Sequence, residues 1–389
     1  MTVERAPTTA PDGLPPPVRW WAFLVIILGI TLTVLDSGIV NLALPDIARD
    51  MKVSASAAVW VVIGYQIAAL ALLLPLANLG ERIGYRRVYL VGAVVFTVGS
   101  LASMVADSML LLVVARAFQG LGAAGIMSVN SALVRLTFPA AGLPRALALN
   151  SVVVAAGSVA GPPLGAAVLS LAPWPWLFAL NVPLGILCFA LGSRCLPANT
   201  HRPRAGAPVA ALDVALNIAT FSLFFLGADS LASLGGGGHA IVPPATGAAM
   251  LAAGVALAVW YVRRQRRLAT PMLPIDLLAI PAFALSFCTS VATFSAHTLG
   301  FVALPFLLLG AQGFSHGHAG LLIAAWPAAV VVVAPIAGRL ISRYPAGILG
   351  SIGRVMLSLG LLLLALLPDR AGRGDIAWRL ALCGAGVAL

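Results

Sequence analysis

Apolar runs long enough to cross a bilayer recur along this chain from Trp20 to its last residue, and no other feature constrains its fold as strongly. A hydrocarbon core about 30 Å thick takes roughly 20 helical residues to span. Reading the runs between charged or Pro/Gly-rich breaks predicts spans at 20–44, 54–79, 87–106, 109–134, 144–171, 174–196, 212–233, 243–262, 280–309, 318–342, 347–367 and 376–389, the last too short to cross. Only 9% of the residues are charged and 61% are hydrophobic, against about a quarter charged in soluble domains. That leaves too little polar surface to cover a soluble globule. The period-2 alternation of a membrane barrel is absent, so the expected class is all-α integral membrane.

Orientation follows from the basic residues, which collect on cytoplasmic loops. With a cytoplasmic N-terminus, the outer segments hold only Arg49, Lys52, Arg370, Arg373 and Arg379, and Arg116 lies inside a span. Every other arginine then falls in an inner segment, so residues 1–19 are expected to be a cytoplasmic tail. The formal net charge of +11 sits in short loops between apolar runs, which argues against nucleic acid as a partner. The partner expected from this is the lipid bilayer, with a monomer as the working unit. Cys188, Cys195, Cys288 and Cys383 form no C-x-x-C pair, so neither a zinc site nor a disulfide framework is indicated.

Polar residues inside the runs are the functional candidates, because an ionisable group in a membrane span is costly. Asp36 sits well inside the first run, in VLDSGIVNLALPD, residues 34–46. Helical rise places it roughly 6 Å below the outer boundary. Arg116, in ARAFQGLGAAG (115–125), lies about 9 Å below the same boundary, so the two could pair. Gln119 shares the Arg116 face at i+3. Arg116 could instead snorkel from its nearby helix end, and Asp36 could merely brace the bundle.

Two further motifs bear on movement. The loop ANLGERIGYRRVYL (77–90) packs Glu81, Arg82 and Arg86 around Gly84, and AGRLISRYPAG (337–347) echoes it after the tenth run. Matching loops at corresponding positions suggest an internal repeat, as in secondary transporters. In GSVAGPPLGA, residues 157–166, Gly157, Gly161 and Gly165 form an i, i+4, i+8 stripe beside Pro162. Such a stripe permits close helix approach, and the prolines bend the helix.

Together these stretches resemble the major facilitator superfamily, and more closely its fourteen-span drug:proton antiporter group. LDSGIVNLALPDI resembles that group's first-span signature, with Gly38 in a threonine position. WVVIGYQIA (60–68) resembles its second-span W-x-x-x-x-Y, and Arg116–Gln119–Gly120 its R-x-x-Q-G. ANLGERIGYRR departs from the superfamily loop at Ala77 and Glu81. GSVAGPPLGA differs from the antiporter motif at Ala166, and WPWLFALNVPLG (174–185) resembles W-R-W-x-F-x-x-N-x-P-x-G with Pro175 for arginine.

The resemblance implies two pseudo-symmetric helix bundles separated by two extra spans. The N-terminal bundle would occupy 20–196, a cytoplasmic linker 197–211, the inserted spans 212–262, a second linker 263–279 and the C-terminal bundle 280–389. Fourteen spans would need six helices after residue 280, so about 12 are present and a C-terminally incomplete second bundle is expected. The implied activity is proton-coupled export of drug-like or amphipathic molecules by alternating access across the cytoplasmic (inner) membrane. Export or import of one metabolite, or an inactive truncated fragment, are the alternatives.

No G-x-x-x-x-G-K-[ST] loop is present, and no cofactor is expected beyond the proton gradient. Nothing resembles a hydrolytic or metal-catalytic motif, so the chain is not read as an enzyme. Asp36 is the expected proton carrier and Arg116 its partner. Glu81, Arg82, Gly84 and Arg86 would latch the halves, and the Gly157–Gly165 stripe would set their rocking. Trp60, Tyr65, Gln66, Asn150, Phe294 and His297 are the expected pocket residues, suited to a flat lipophilic cation or else simply core filling.

Overall fold

The computed structural model describes residues 13–197, 211–236, 243–266, 279–340, 343–368 and 371–389. Most of the expected tail (residues 1–12) and of both linkers (198–210 and 267–278) lies outside the described residues. Among those described there is no strand. Helices run α1 Pro16–Asp50, α2 Ala55–Ile83, α3 Tyr85–Met104, α4 Met109–Thr137, α5 Leu143–Leu171, α6 Pro175–Ala179, α7 Asn181–Cys195, α8 Ala211–Gly236, α9 Pro244–Gln265, α10 Pro281–Pro305, α11 His316–Leu340, α12 Ala346–Ala365 and α13 Arg373–Ala388. Ten helical stretches among them are long and apolar enough to cross a membrane.

The expected spans and the helices coincide closely, and the differences have physical reasons. α1 continues past Leu44 through Pro45 to Asp50. Asp46 there takes a hydrogen bond from Arg49, and Asp50 accepts from Trp174 Nε1 at 2.9 Å, so the polar end is held by partners. The sixth span breaks into α6 and α7 at Leu180, where the helix path is interrupted just before Asn181. α10 ends at Pro305 in a π-helical turn over Phe306–Ala311. Proline withdraws one backbone donor, and widened turns of this kind absorb such interruptions.

α1–α7 form the first bundle. Gly84, with φ +108, closes α2 and opens α3, a backbone state that favours glycine. Arg82 Nε donates to Asn78 Oδ1 at 3.1 Å, and Arg86 donates to the Ser193 carbonyl at the end of α7. α8 and α9 pair with each other, and α8 leans on α2. Arg264 Nε reaches buried Asp213 at 2.7 Å, and Asn217 Nδ2 donates to the Ala71 carbonyl at 2.7 Å.

α10–α13 form the second part, and it meets the first bundle at one end. Leu42 of α1 and Ala166 of α5 share an apolar core with Leu304, Leu308, Leu322 and Trp326. At that same end His316 Nε2 meets Asp46 Oδ2 at 2.6 Å, joining α11 to α1. Toward the other end, where α10 and α12 begin, the two parts separate around a cavity of about 1140 Å³.

Candidate functional site

The site is built where five helices of the first bundle cross. Asp36 of α1 and Arg116 of α4 are each 1% exposed, and Gln119 is fully buried. Arg116 Nη1 donates to Asp36 Oδ2 at 2.7 Å and to Gln119 Oε1 at 2.5 Å. Its Nε donates to the Val61 carbonyl of α2 at 3.1 Å. Asp36 Oδ1 accepts from Gln119 Nε2 at 2.9 Å and from Asn181 Nδ2 of α7 at 2.7 Å. Gln119 Nε2 also donates to Ser100 Oγ of α3 at 2.8 Å. Both carboxylate oxygens therefore have donors, which is what a charge removed from water requires.

Aromatic rings seal the pair. The Arg116 guanidinium lies 4.4 Å from the Tyr65 ring centre and 5.5 Å from that of Phe178. Arginine favours such faces because its flat cation is weakly hydrated. Glycine lets the helices come close enough. A Cβ at Gly120 would collide with the Tyr65 carbonyl, and one at Gly99 would lie 2.7 Å from the Gln119 backbone. The R-x-x-Q-G sequence thus supplies two network members and the gap that seats them.

The cavity lies on the other side of α1. Ser37, Gly38 and Asn41 line it, while Asp36, one residue earlier, points into the bundle. Tyr65 belongs to both places: it lines the cavity, and its ring covers Arg116. Tyr65 thus links the Arg116 side of the network to the cavity.

Of the expected pocket residues, Tyr65, Gln66, Phe294 and His297 line this cavity. Trp60 and Asn150 do not: Trp60 is buried, and Asn150 Nδ2 turns to Asn130 Oδ1 at 3.1 Å. The glycine stripe of α5 faces α1 around the site. Cβ atoms at Gly157, Gly161 and Gly165 would lie 3.2 Å from Val34, 3.3 Å from Gly38 and 3.4 Å from Ile39. On its other side α5 meets α11, where a Cβ at Gly320 would come 2.7 Å from the Pro162 carbonyl. Glu81, Arg82, Gly84 and Arg86 lie at the α2–α3 turn, away from the carboxylate network.

Gln119, expected on the Arg116 face, completes the network together with Asn181 and Ser100, which the sequence reading did not name as site residues. Asn181 carried a signal, being a lone carboxamide in the N-x-P-x-G stretch of an apolar run. Ser100 carried none.

Comparison with known proteins bears on the fold and the family. The chain is 44% identical over 386 residues to the "Uncharacterized transporter YebQ" of Escherichia coli (strain K12), covering 98% of this chain and 82% of that protein. It is 32% identical over 373 residues to the "Multidrug resistance protein Stp" of Mycobacterium tuberculosis (strain CDC 1551 / Oshkosh), covering 93% of this chain and 66% of that protein's length. A crystal structure of a peptide transporter, POT, in complex with sulfate superposes with a TM-score of 0.70 at 15% identity, over 95% of this chain and 80% of that one. At that identity the likeness speaks for the fold alone. The family model described as "Major Facilitator Superfamily" matches residues 26–389, and the chain belongs to that superfamily.

Proposed function

We propose that the protein is a proton-coupled exporter of drug-like or other amphipathic molecules, working by alternating access in the manner of the fourteen-span antiporters. The observation that carries this reading is Asp36: a carboxylate caged by Arg116, Gln119 and Asn181, with the Tyr65 that covers Arg116 lining a cavity of about 1140 Å³. A buried acid whose partners compete with a proton can load and unload as access alternates.

The distribution of arginine supports a cytoplasmic N-terminus in the cytoplasmic membrane. The Asp46–His316 contact then lies outside, and the cavity reaches the inner ends of α10 and α12, an inward-facing arrangement. Cargo enters from the cytoplasm. The outer contact parts, a proton from outside reaches Asp36, and Arg116, its pairing with the carboxylate weakened, keeps Gln119 and the Val61 carbonyl. α5, held between α1 and α11, carries that change to the second part. The turn holding Glu81, Arg82, Gly84 and Arg86 latches the inner side in the opposite state.

A panel of toxic amphipathic compounds in efflux-deficient cells, with and without a protonophore, tests the reading. Protection against at least one compound, lost with the protonophore, is expected. Protection by none, or protection that ignores the protonophore, contradicts it.

A further inference from the structure

Among the described residues lining the central cavity, Arg354 of α12 is the one lysine, arginine, aspartate or glutamate, so the lining carries a positive charge and no carboxylate side chain. Arg354 lies about 12 Å into α12 from Ala346. Its side chain is half-buried and makes no hydrogen bond or ion pair with the described residues. An arginine at such a depth normally faces a partner or a water-filled space. Arg116 has Asp36; Arg354 has only the cavity.

The surroundings suit an incoming anion. The guanidinium lies against Gly350, where a Cβ would be 3.4 Å from Arg354 Nη2, and a Cβ at Gly347, one turn earlier, would meet open space. Among the described residues, only Arg354 itself comes within 4 Å of either position. Along α10, Phe294, His297 and Phe301 form an aromatic wall on the same cavity, with ring centres 6.3 Å and 4.7 Å apart. His297 Nδ1 is buried there without a hydrogen-bond partner. A cation would find no acidic side chain among the described lining residues, because Asp36 is turned away and already paired. The lipophilic cation expected from the sequence is therefore not the cargo this lining favours.

We propose that the cargo is an amphipathic organic anion, its carboxylate or equivalent group taken by Arg354 and its flat apolar body laid on the Phe294–His297–Phe301 wall. This rests on the reading of the cavity as the cargo site. Arginine grips a carboxylate through two parallel N–H donors, which gives both affinity and direction.

The test is equilibrium binding to the full chain in detergent, using two fluorescent probes with one pyrene body: 1-pyrenebutyrate and pyrenebutyltrimethylammonium. The anion should bind at least about tenfold more tightly. Arg354→Gln should erase that preference while the cation binds as before, and Arg354→Lys should restore part of it. Equal binding of the two probes, tighter binding of the cation, binding of neither, or a preference that survives Arg354→Gln overturns the proposal. No gradient is involved, so a failure here is distinct from a failure of proton-coupled export, which is read in cells with the protonophore.

Discussion

Asp36 and Arg116 meet 2.7 Å apart in the interior of the first bundle, with essentially no solvent on either side chain. A buried pair of this kind adds little net stability over an apolar replacement, but breaking it is expensive, because the survivor keeps its charge without water or partner. Its value lies in being switchable by one proton.

The first prediction concerns the pair itself. Arg116→Gln and Asp36→Asn should each lower stability by about 3–5 kcal/mol. The double variant should cost clearly less than the sum, since no unpaired charge remains. Unfolding of the detergent-solubilised protein measures this; strictly additive losses would mean the two charges are independent.

A second prediction uses close packing. Gly120→Ala forces a methyl group into the Tyr65 carbonyl, so α2 and α4 must part. A loss of about 1–3 kcal/mol is expected, as in other overpacked cores, together with loss of efflux. At Gly38 a Cβ would lie 3.5 Å from Gly161 Cα, ordinary contact, and Gly38→Ala should leave the melting temperature nearly unchanged. Similar melting curves for the two variants would contradict the packing account.

The third prediction concerns the closed end. Asp46 and His316 join α1 to α11 at 2.6 Å, so His316→Ala should shift the population away from the arrangement described. Labelling of a cysteine introduced at Ser286, an exposed cavity-lining position, should then slow several-fold when a membrane-impermeant maleimide is added to inside-out vesicles. Unchanged labelling would show that the contact does not bias the two states.

The sequence made the helices and the central pair legible because both follow from strong terms. Burying an aspartate or an arginine in hydrocarbon is costly enough that their positions alone marked Asp36 and Arg116. Helical rise then put them at one depth. The weaker terms left no mark. Ser100 looks like any small residue in an apolar run, and only the approach of α3 to Gln119 gives its hydroxyl a role.

Faces were harder to read than depths. Trp60 and Tyr65 are five residues apart, about 140° around a helix, so both cannot look into one cavity, and it is Tyr65 that does. Asn150 sits at the edge of the α5 face formed by Ser151, Val154, Ala155 and Ser158, and Asn130 draws its carboxamide away. Residue type marked these positions as polar or aromatic without telling which neighbour would claim them. Arg354 shows the reverse: its sequence position counted only toward orientation, and the fold places it on the cavity.

The most direct measurement of the central claim is gradient-driven transport in proteoliposomes with Asp36→Asn. The wild type should move a transported compound against its gradient when a proton gradient is imposed, and stop when the gradient is collapsed. Asp36→Asn keeps the size of the side chain but removes its charge and one of its two acceptor oxygens, and it should abolish the proton-driven component. Accumulation by Asp36→Asn at the wild-type rate, still dependent on the proton gradient, would contradict the assignment of Asp36 as the proton carrier.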